Sequence, residues 1–302
     1  MRKIHYYFKG ELFNFFAKDG LDLEGFLFHP KKPTKTAWIH VHGMTDFFSG
    51  ERFLDRVRNV ALKNNMAFLT FDNRGMGNIS VFKKVEKNRT RYVHMGTSLE
   101  KFEHCLYDIG AAIKTLKEEG FENFVLSGHS TGCQKTAYYL SKYKKSQVDA
   151  LILLSPVDDL TFDKMVLGRK FKPALKLAEK LVNSGRGHEI MPYKYSSEYW
   201  SAQRFYNLYK EGSIEGNLFN YTKPLNVLKK INQPILSILA SGEEYIVEPA
   251  IDMIKKIDDV TLNPLSKGIA IDGGDHCFVG IEKEMESVLN NWIKKLKKEK
   301  AL

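Results

Sequence analysis

Along this chain, short apolar runs alternate with longer stretches whose apolar positions recur every three or four residues. Asp22 to Phe28 alternates polar and apolar positions and reads as an early, half-exposed strand. Ala37 to Val41, Ala67 to Phe71, Phe124 to Leu126, Ala150 to Leu154, Pro234 to Leu239 and Gly268 to Ile271 are short and apolar, and turn-forming residues follow them. They read as buried strands. Helical spacing runs through Ser98 to Glu119, with Phe102, Cys105, Ile109, Ala112 and Leu116 on one face and Gly120 as the C-cap. Thr131 to Lys142 is a second helix, and about Lys283 to Lys298 a last one, with Met285, Leu289, Trp292 and Leu296 on its apolar face. Strands alternating with covering helices predict an α/β fold, a mostly parallel central sheet flanked by helices.

One region breaks the alternation. From Asp159 to Lys230 no convincing strand occurs, but helical segments do. Lys172 to Asn183 opens next to Pro173 and stops before Gly185, and Ser196 to Lys210 is rich in Tyr and Trp. The expected organisation is a core of residues 1–158 and 231–302 with a helical cap, residues 159–230, inserted between two strands.

Composition narrows this picture. With 302 residues and 43% apolar content, the chain has ample material for a large core. No apolar run approaches the ~18 residues of a membrane span. Met1 to Phe16 has Glu11 among its apolar residues and no small-residue cleavage site, so it does not read as a signal peptide. Cys105, Cys133 and Cys277 are few and far apart, which points to reduced thiols and a cytoplasmic setting. The net charge is +10, yet lysines are spread along the chain and mixed with Glu. The densest run, Lys294 to Lys300, suits the C-terminal end of a helix. No nucleic-acid reading motif accompanies the charge, so nucleic acid is not an expected partner, although the charge would attract an anionic substrate.

The chemistry begins at Gly128-His129-Ser130-Thr131-Gly132, a G-x-S-x-G motif after a strand and opening a helix. Small residues around Ser130 permit the sharp turn that lifts a hydroxyl above a sheet. The helix N-terminus behind it offers the Thr131 N–H to a developing oxyanion. Such a serine needs a base. His276, in the loop between the last strand and the last helix, is the candidate, since the histidine comes last in this order of parts. His129 adjoins the nucleophile but must point away from it. His40-Val41-His42 is half of a metal motif with nothing at ligand spacing to complete it. His42 is therefore read as structural beside its turn and as a candidate substrate contact.

The acid is expected after the strand Pro234 to Leu239, where Glu243 and Glu244 compete. Glu244 is favoured because it stands three residues before Val247; Asp158 and Asp159, after the preceding strand, are rivals. His42-Gly43-Met44 supplies a close backbone approach and, from Met44 N–H, a second oxyanion donor. Asp72-Asn73-Arg74-Gly75-Met76-Gly77 is a tight turn read as scaffold.

Together these pieces resemble the α/β-hydrolase superfamily over about residues 20 to 295. Gly242-Glu243-Glu244-Tyr245 and the segment Gly96 to Glu103 look most like the branch of fungal siderophore esterases and uncharacterised relatives. One departure is glutamate where most members carry aspartate as the acid. The resemblance implies a serine esterase: Ser130 attacks a carbonyl, His276 takes its proton, and water releases the acid from an acyl-enzyme. It implies a small-molecule ester as partner, no organic cofactor and no metal; a homo-oligomer stays open. Amide or thioester hydrolysis, acyl transfer and a non-catalytic binding role on the same fold are the alternatives. The aromatic residues of the cap mostly pack it onto the body, and Tyr199, Trp200 and Tyr206 are the candidates to meet substrate.

Overall fold

The computed structural model describes residues 10–87, 89–144, 146–196 and 199–302. The chain opens with an antiparallel hairpin, β1 (Gly10–Phe16) and β2 (Asp22–Phe28), followed by β3 (Thr36–Val41), α1 (Leu54–Lys63) and β4 (Ala67–Phe71). A separate two-stranded ribbon, β5 (Ser80–Glu86) and β6 (Arg89–Met95), precedes α2 (Cys105–Glu118). Then come β7 (Asn123–His129), α3 (Thr131–Lys142) and β8 (Val148–Leu154). Three helices follow, α4 (Asp159–Leu167), α5 (Phe171–Asn183) and α6 (Ala202–Tyr209). The last part is β9 (Ile235–Ala240), α7 (Ala250–Asp258), β10 (Lys267–Ile271) and α8 (Glu282–Lys298).

Eight strands form one sheet in the order β1-β2-β4-β3-β7-β8-β9-β10. β2 pairs antiparallel with β1 and β4, and every later pairing is parallel. The middle of the sheet is buried on both faces, which is why strands such as β3, β4 and β9 are near-continuous apolar runs. One core layer packs α2, α3 and α7 against one face; the other packs α1 and α8, with Trp38, Phe68 and Trp292, against the opposite face. A third cluster, around Phe171, Trp200, Phe205 and Tyr209, belongs to α4–α6 and their loops. Among the described residues no strand forms between β8 and β9, only an isolated bridge between Ile190 and Ser201.

The mostly parallel α/β architecture is the one expected. Two helices start later than their spacing predicts. α2 begins at Cys105 because the preceding backbone is engaged elsewhere: Thr97 N–H donates to Gly77 O and Ser98 N–H to Asn78 O. α6 begins at Ala202, where the Ser201 side chain accepts from Arg204 N–H. Ser197 and Glu198, inside the predicted Ser196–Lys210 helix, lie outside the described residues, as do residues 1–9 of the N-terminal segment read as lacking a signal peptide. No described helix is long and apolar enough to cross a membrane.

Candidate active site

The parallel strands bring their carboxyl ends to one edge of the sheet, the place where α/β folds collect chemistry. Ser130 follows β7, and its backbone sits at φ +53°, ψ −127°, a conformation costly for any side chain but glycine's. The surroundings hold it there. Ser130 N–H donates to Leu154 O (3.0 Å), and its carbonyl accepts from Cys133 N–H (2.8 Å) as α3 begins. A Cβ on Gly128 would stand 2.2 Å from the Gly132 carbonyl, so the turn closes only with glycine there. Thr131 opens α3, and its N–H consequently has no acceptor within the helix.

Glu243 comes after β9 and His276 after β10. Both carboxylate oxygens of Glu243 lie 2.8 Å from His276 Nδ1. A carboxylate only accepts, so Nδ1 carries the hydrogen and Nε2 is left as the basic nitrogen. Glu243 is fully buried as a side chain and also accepts from Tyr245 N–H (3.1 Å). Glu244 is different: its carboxylate accepts the backbone N–H of His276 (2.7 Å) and does not bond the ring. The imidazole thus meets Glu243 and not Glu244, the glutamate expected there. Consecutive side chains on this turn diverge, and the inner one is Glu243. Asp158 is also occupied, capping α4 through Thr161 N–H (2.8 Å) and accepting from Tyr221 N–H (3.0 Å).

Gly43 approaches Ser130 closely: a Cβ there would be 2.9 Å from Ser130 Cβ. Met44 follows, and Thr45, at φ +58°, donates its N–H to Thr97 Oγ1 (2.8 Å), which fixes the loop's path. His42 does not reach the cavity, contrary to its reading as a substrate contact. Its Nδ1 donates to Gly43 O (2.8 Å) and its Nε2 accepts from Asn73 N–H (3.1 Å). Burial, and then Lys135, push its pKa down to about 3, so it is a neutral brace of the Gly43 loop.

A cavity of about 760 Å³ opens over these groups. Gly43, Met44, Ser130 and His276 form its floor; Val157, Phe162, Val166, Leu167, Trp200 and Phe205 form much of its wall. Trp200 therefore meets the cavity. Tyr199, 64% exposed, and Tyr206, whose hydroxyl bonds Glu179, do not, because α6 turns Phe205 and Tyr209 inward and Tyr206 outward. Asp159 and Asp163 also line the wall. Burial and then the neighbouring carboxylates of Glu215 and Asp163 hold the Asp159 carboxyl well above its usual range, and it accepts from Gln134 Nε2 (2.8 Å). Burial pushes the Cys277 thiol, also in the wall, up to about 12, so no thiolate rivals the Ser130 hydroxyl. Among the described residues no group of three or more His, Cys, Asp or Glu is arranged to hold a metal.

Two residues of the cavity lining, Glu51 and Asp163, carry no sequence signal that would single them out: one is an ordinary loop glutamate, the other lies within α4, and only the fold brings them together. α6 is fastened to the body by charge. Arg204 of α6 donates to both carboxylate oxygens of Glu215 and, from Nε, to Thr97 O (3.0 Å). It lies 3.8 Å from Glu100, which pairs with Lys135 (2.9 Å) of α3. All four side chains are buried.

A family model described as a protein of unknown function (DUF1749) matches residues 87–296. No curated protein matches in sequence. Among solved structures, the chain is similar to the α/β hydrolase GrgF from Penicillium sp. sh18 (TM-score 0.69, 18% identity, 97% of this chain and 99% of that one). It is similar to the siderophore hydrolase EstB from Aspergillus fumigatus (0.68, 16%, 97% and 98%). It is also similar to Est1E from Butyrivibrio proteoclasticus with ferulic acid bound (0.63, 17%, 93% and 98%). At these identities the likeness carries the fold.

Proposed function

This chain belongs to the DUF1749 family and has the α/β-hydrolase fold, and on that premise we propose that it is a serine hydrolase of carboxylic esters. Ser130 is the nucleophile, His276 its base and Glu243 the acid that orients the base. The Ser130 hydroxyl adds to the ester carbonyl as His276 Nε2 takes its proton; the same nitrogen returns that proton to the leaving alcohol. The N–H groups of Met44 and Thr131 receive the oxyanion. Water, activated by His276, then frees the acid from the acyl-enzyme.

The observation that carries this reading is the Glu243–His276 contact, 2.8 Å from each oxygen, beside a serine held at φ +53° on the floor of the same cavity. Residues 159–230 act as the cap that selects the acyl group. Its wall of Phe162, Leu167, Trp200 and Phe205 favours a bulky, largely apolar acyl chain. The siderophore hydrolase EstB, similar in fold, supports hydrolysis as the reaction class. A fluorophosphonate probe tests the proposal: the wild type is labelled on Ser130 and Ser130→Ala stays dark. An unlabelled but folded wild type would favour a non-catalytic binding role.

A further inference from the structure

Behind the nucleophile lies a second acid–histidine pair that the proposed reaction does not use. His129 closes β7, one residue before Ser130, and its ring is buried between Phe53 (centroids 4.9 Å apart) and the His276 ring (4.7 Å). Both of its nitrogens face acceptors. Nδ1 is ion-paired with the Glu51 carboxylate, and Nε2 lies 2.9 Å from the main-chain oxygen of His276. Neither acceptor supplies a hydrogen while Glu51 is ionised, so the ring satisfies both only as an imidazolium. The electrostatics agree. Burial lowers the affinity of His129 for its second proton, but Glu51 more than offsets this, and Glu51 itself is held well below the usual carboxylate range. His40 faces the other side of Glu51 at 3.7 Å, and burial keeps its pKa low, so it does not claim the charge. The Asp46 carboxyl is also close enough to feel Glu51: burial and then Glu51 raise its pKa to about 7.

What this pair grips is the backbone of the base. The His276 carbonyl also accepts from Ser155 Oγ (3.0 Å), and the His276 N–H donates to Glu244 (2.7 Å). The peptide groups of His276 are thus held by side chains at the ends of β7, β8 and β9, three neighbouring strands. Glu51 reaches in from the loop that follows Gly43 and Met44.

We propose that the Glu51–His129 ion pair is a positioning device for the active site. It locks the main chain of His276 to the strand that bears Ser130 and to the loop that bears the oxyanion donor. This inference rests on the role assigned to His276, and two independent readouts separate the two claims.

The first is the rate of fluorophosphonate labelling. Glu51→Gln is expected to slow it by about 10–100-fold, the cost of a base displaced by a fraction of an ångström, with KM for a p-nitrophenyl ester within about threefold of wild type. His129→Gln, which keeps a donor toward the His276 carbonyl, is expected to retain more of the rate than His129→Leu. Folded Glu51→Gln that labels at the wild-type rate, or equal losses in the two His129 variants, would overturn the proposal. The second readout needs no activity. In 15N-labelled Ser130→Ala protein at pH 8, both ring nitrogens of His129 should resonate as an imidazolium, and this signature should vanish in Glu51→Gln. A neutral His129 in that spectrum overturns the pair even if the wild type labels. An unlabelled wild type with an imidazolium at His129 overturns the hydrolase reading and leaves the pair standing.

Discussion

Glu243→Gln is the sharpest test of the proposed chemistry, because two adjacent glutamates differ only in which part of His276 they hold. In the wild type, Nδ1–H points at a buried carboxylate, so Nε2 is free to accept a proton. A glutamine amide can turn its NH2 toward Nδ1, which flips the imidazole to the tautomer with hydrogen on Nε2. That ring cannot take the Ser130 proton, and the imidazolium formed in the reaction loses its counter-charge. Loss of this kind costs about 10²–10⁴-fold in kcat, equivalent to roughly 3–5 kcal/mol of transition-state stabilisation. Glu244→Gln retains a carbonyl oxygen able to accept from His276 N–H, so its loss should stay below about tenfold. The assay is kcat and KM for a p-nitrophenyl ester, with thermal melting as the folding control. Glu244→Gln costing more than Glu243→Gln, in folded proteins, would refute the argument that ring contact decides the acid.

Three further perturbations follow from the geometry. Gly43→Ala forces a Cβ to within 2.9 Å of Ser130 Cβ, which must move the Met44 N–H; kcat should fall by about 10²–10³-fold with little change in melting temperature. Arg204→Met leaves Glu215 and Glu100 buried without their shared cation, and urea unfolding should show a loss of about 3–5 kcal/mol. Asp46 has a folded pKa of about 7, above the ~3.9 of an unfolded aspartate, so the unfolded state releases its proton first as pH rises. Its contribution therefore falls between about pH 4 and 7. Asp46→Asn should flatten that slope by about 1–2 kcal/mol, discounted for the group's partial exposure, as measured by unfolding at pH 5 and pH 8.

The sheet was legible from sequence because a parallel strand buried on both faces must be apolar at nearly every position, and β3, β4, β8 and β9 are. β5 and β6 escaped notice for the opposite reason: Lys83, Lys84, Arg89 and Arg91 leave them no continuous apolar face. α1 mixes Arg and Asn with its apolar residues, and α7 spans only Ala250–Asp258, too few turns for a periodicity to stand out. At the site, Ser130 was readable because its motif lies between a strand and a helix. The acid was not resolved, since a one-residue step around Gly242 reverses a side chain, and that direction depends on Glu243 N–H folding back to Ala240 O. Glu51 was invisible. Its significance comes wholly from a partner 78 positions away, His129.

The charge cluster joining α6 to the core has a consequence for how new substrates would be gained. Arg204 is bonded to Glu215 and to the Thr97 carbonyl, while the Thr97 hydroxyl holds the loop of Met44, the proposed oxyanion donor. Displacing this part of the wall would disturb the floor of the cavity with it, so roof and floor behave as one casting. Diversification of the acyl preference is then channelled into exchanges of individual wall side chains, such as Phe162, Val166 or Leu167, which line the cavity from α4 and carry none of these bonds.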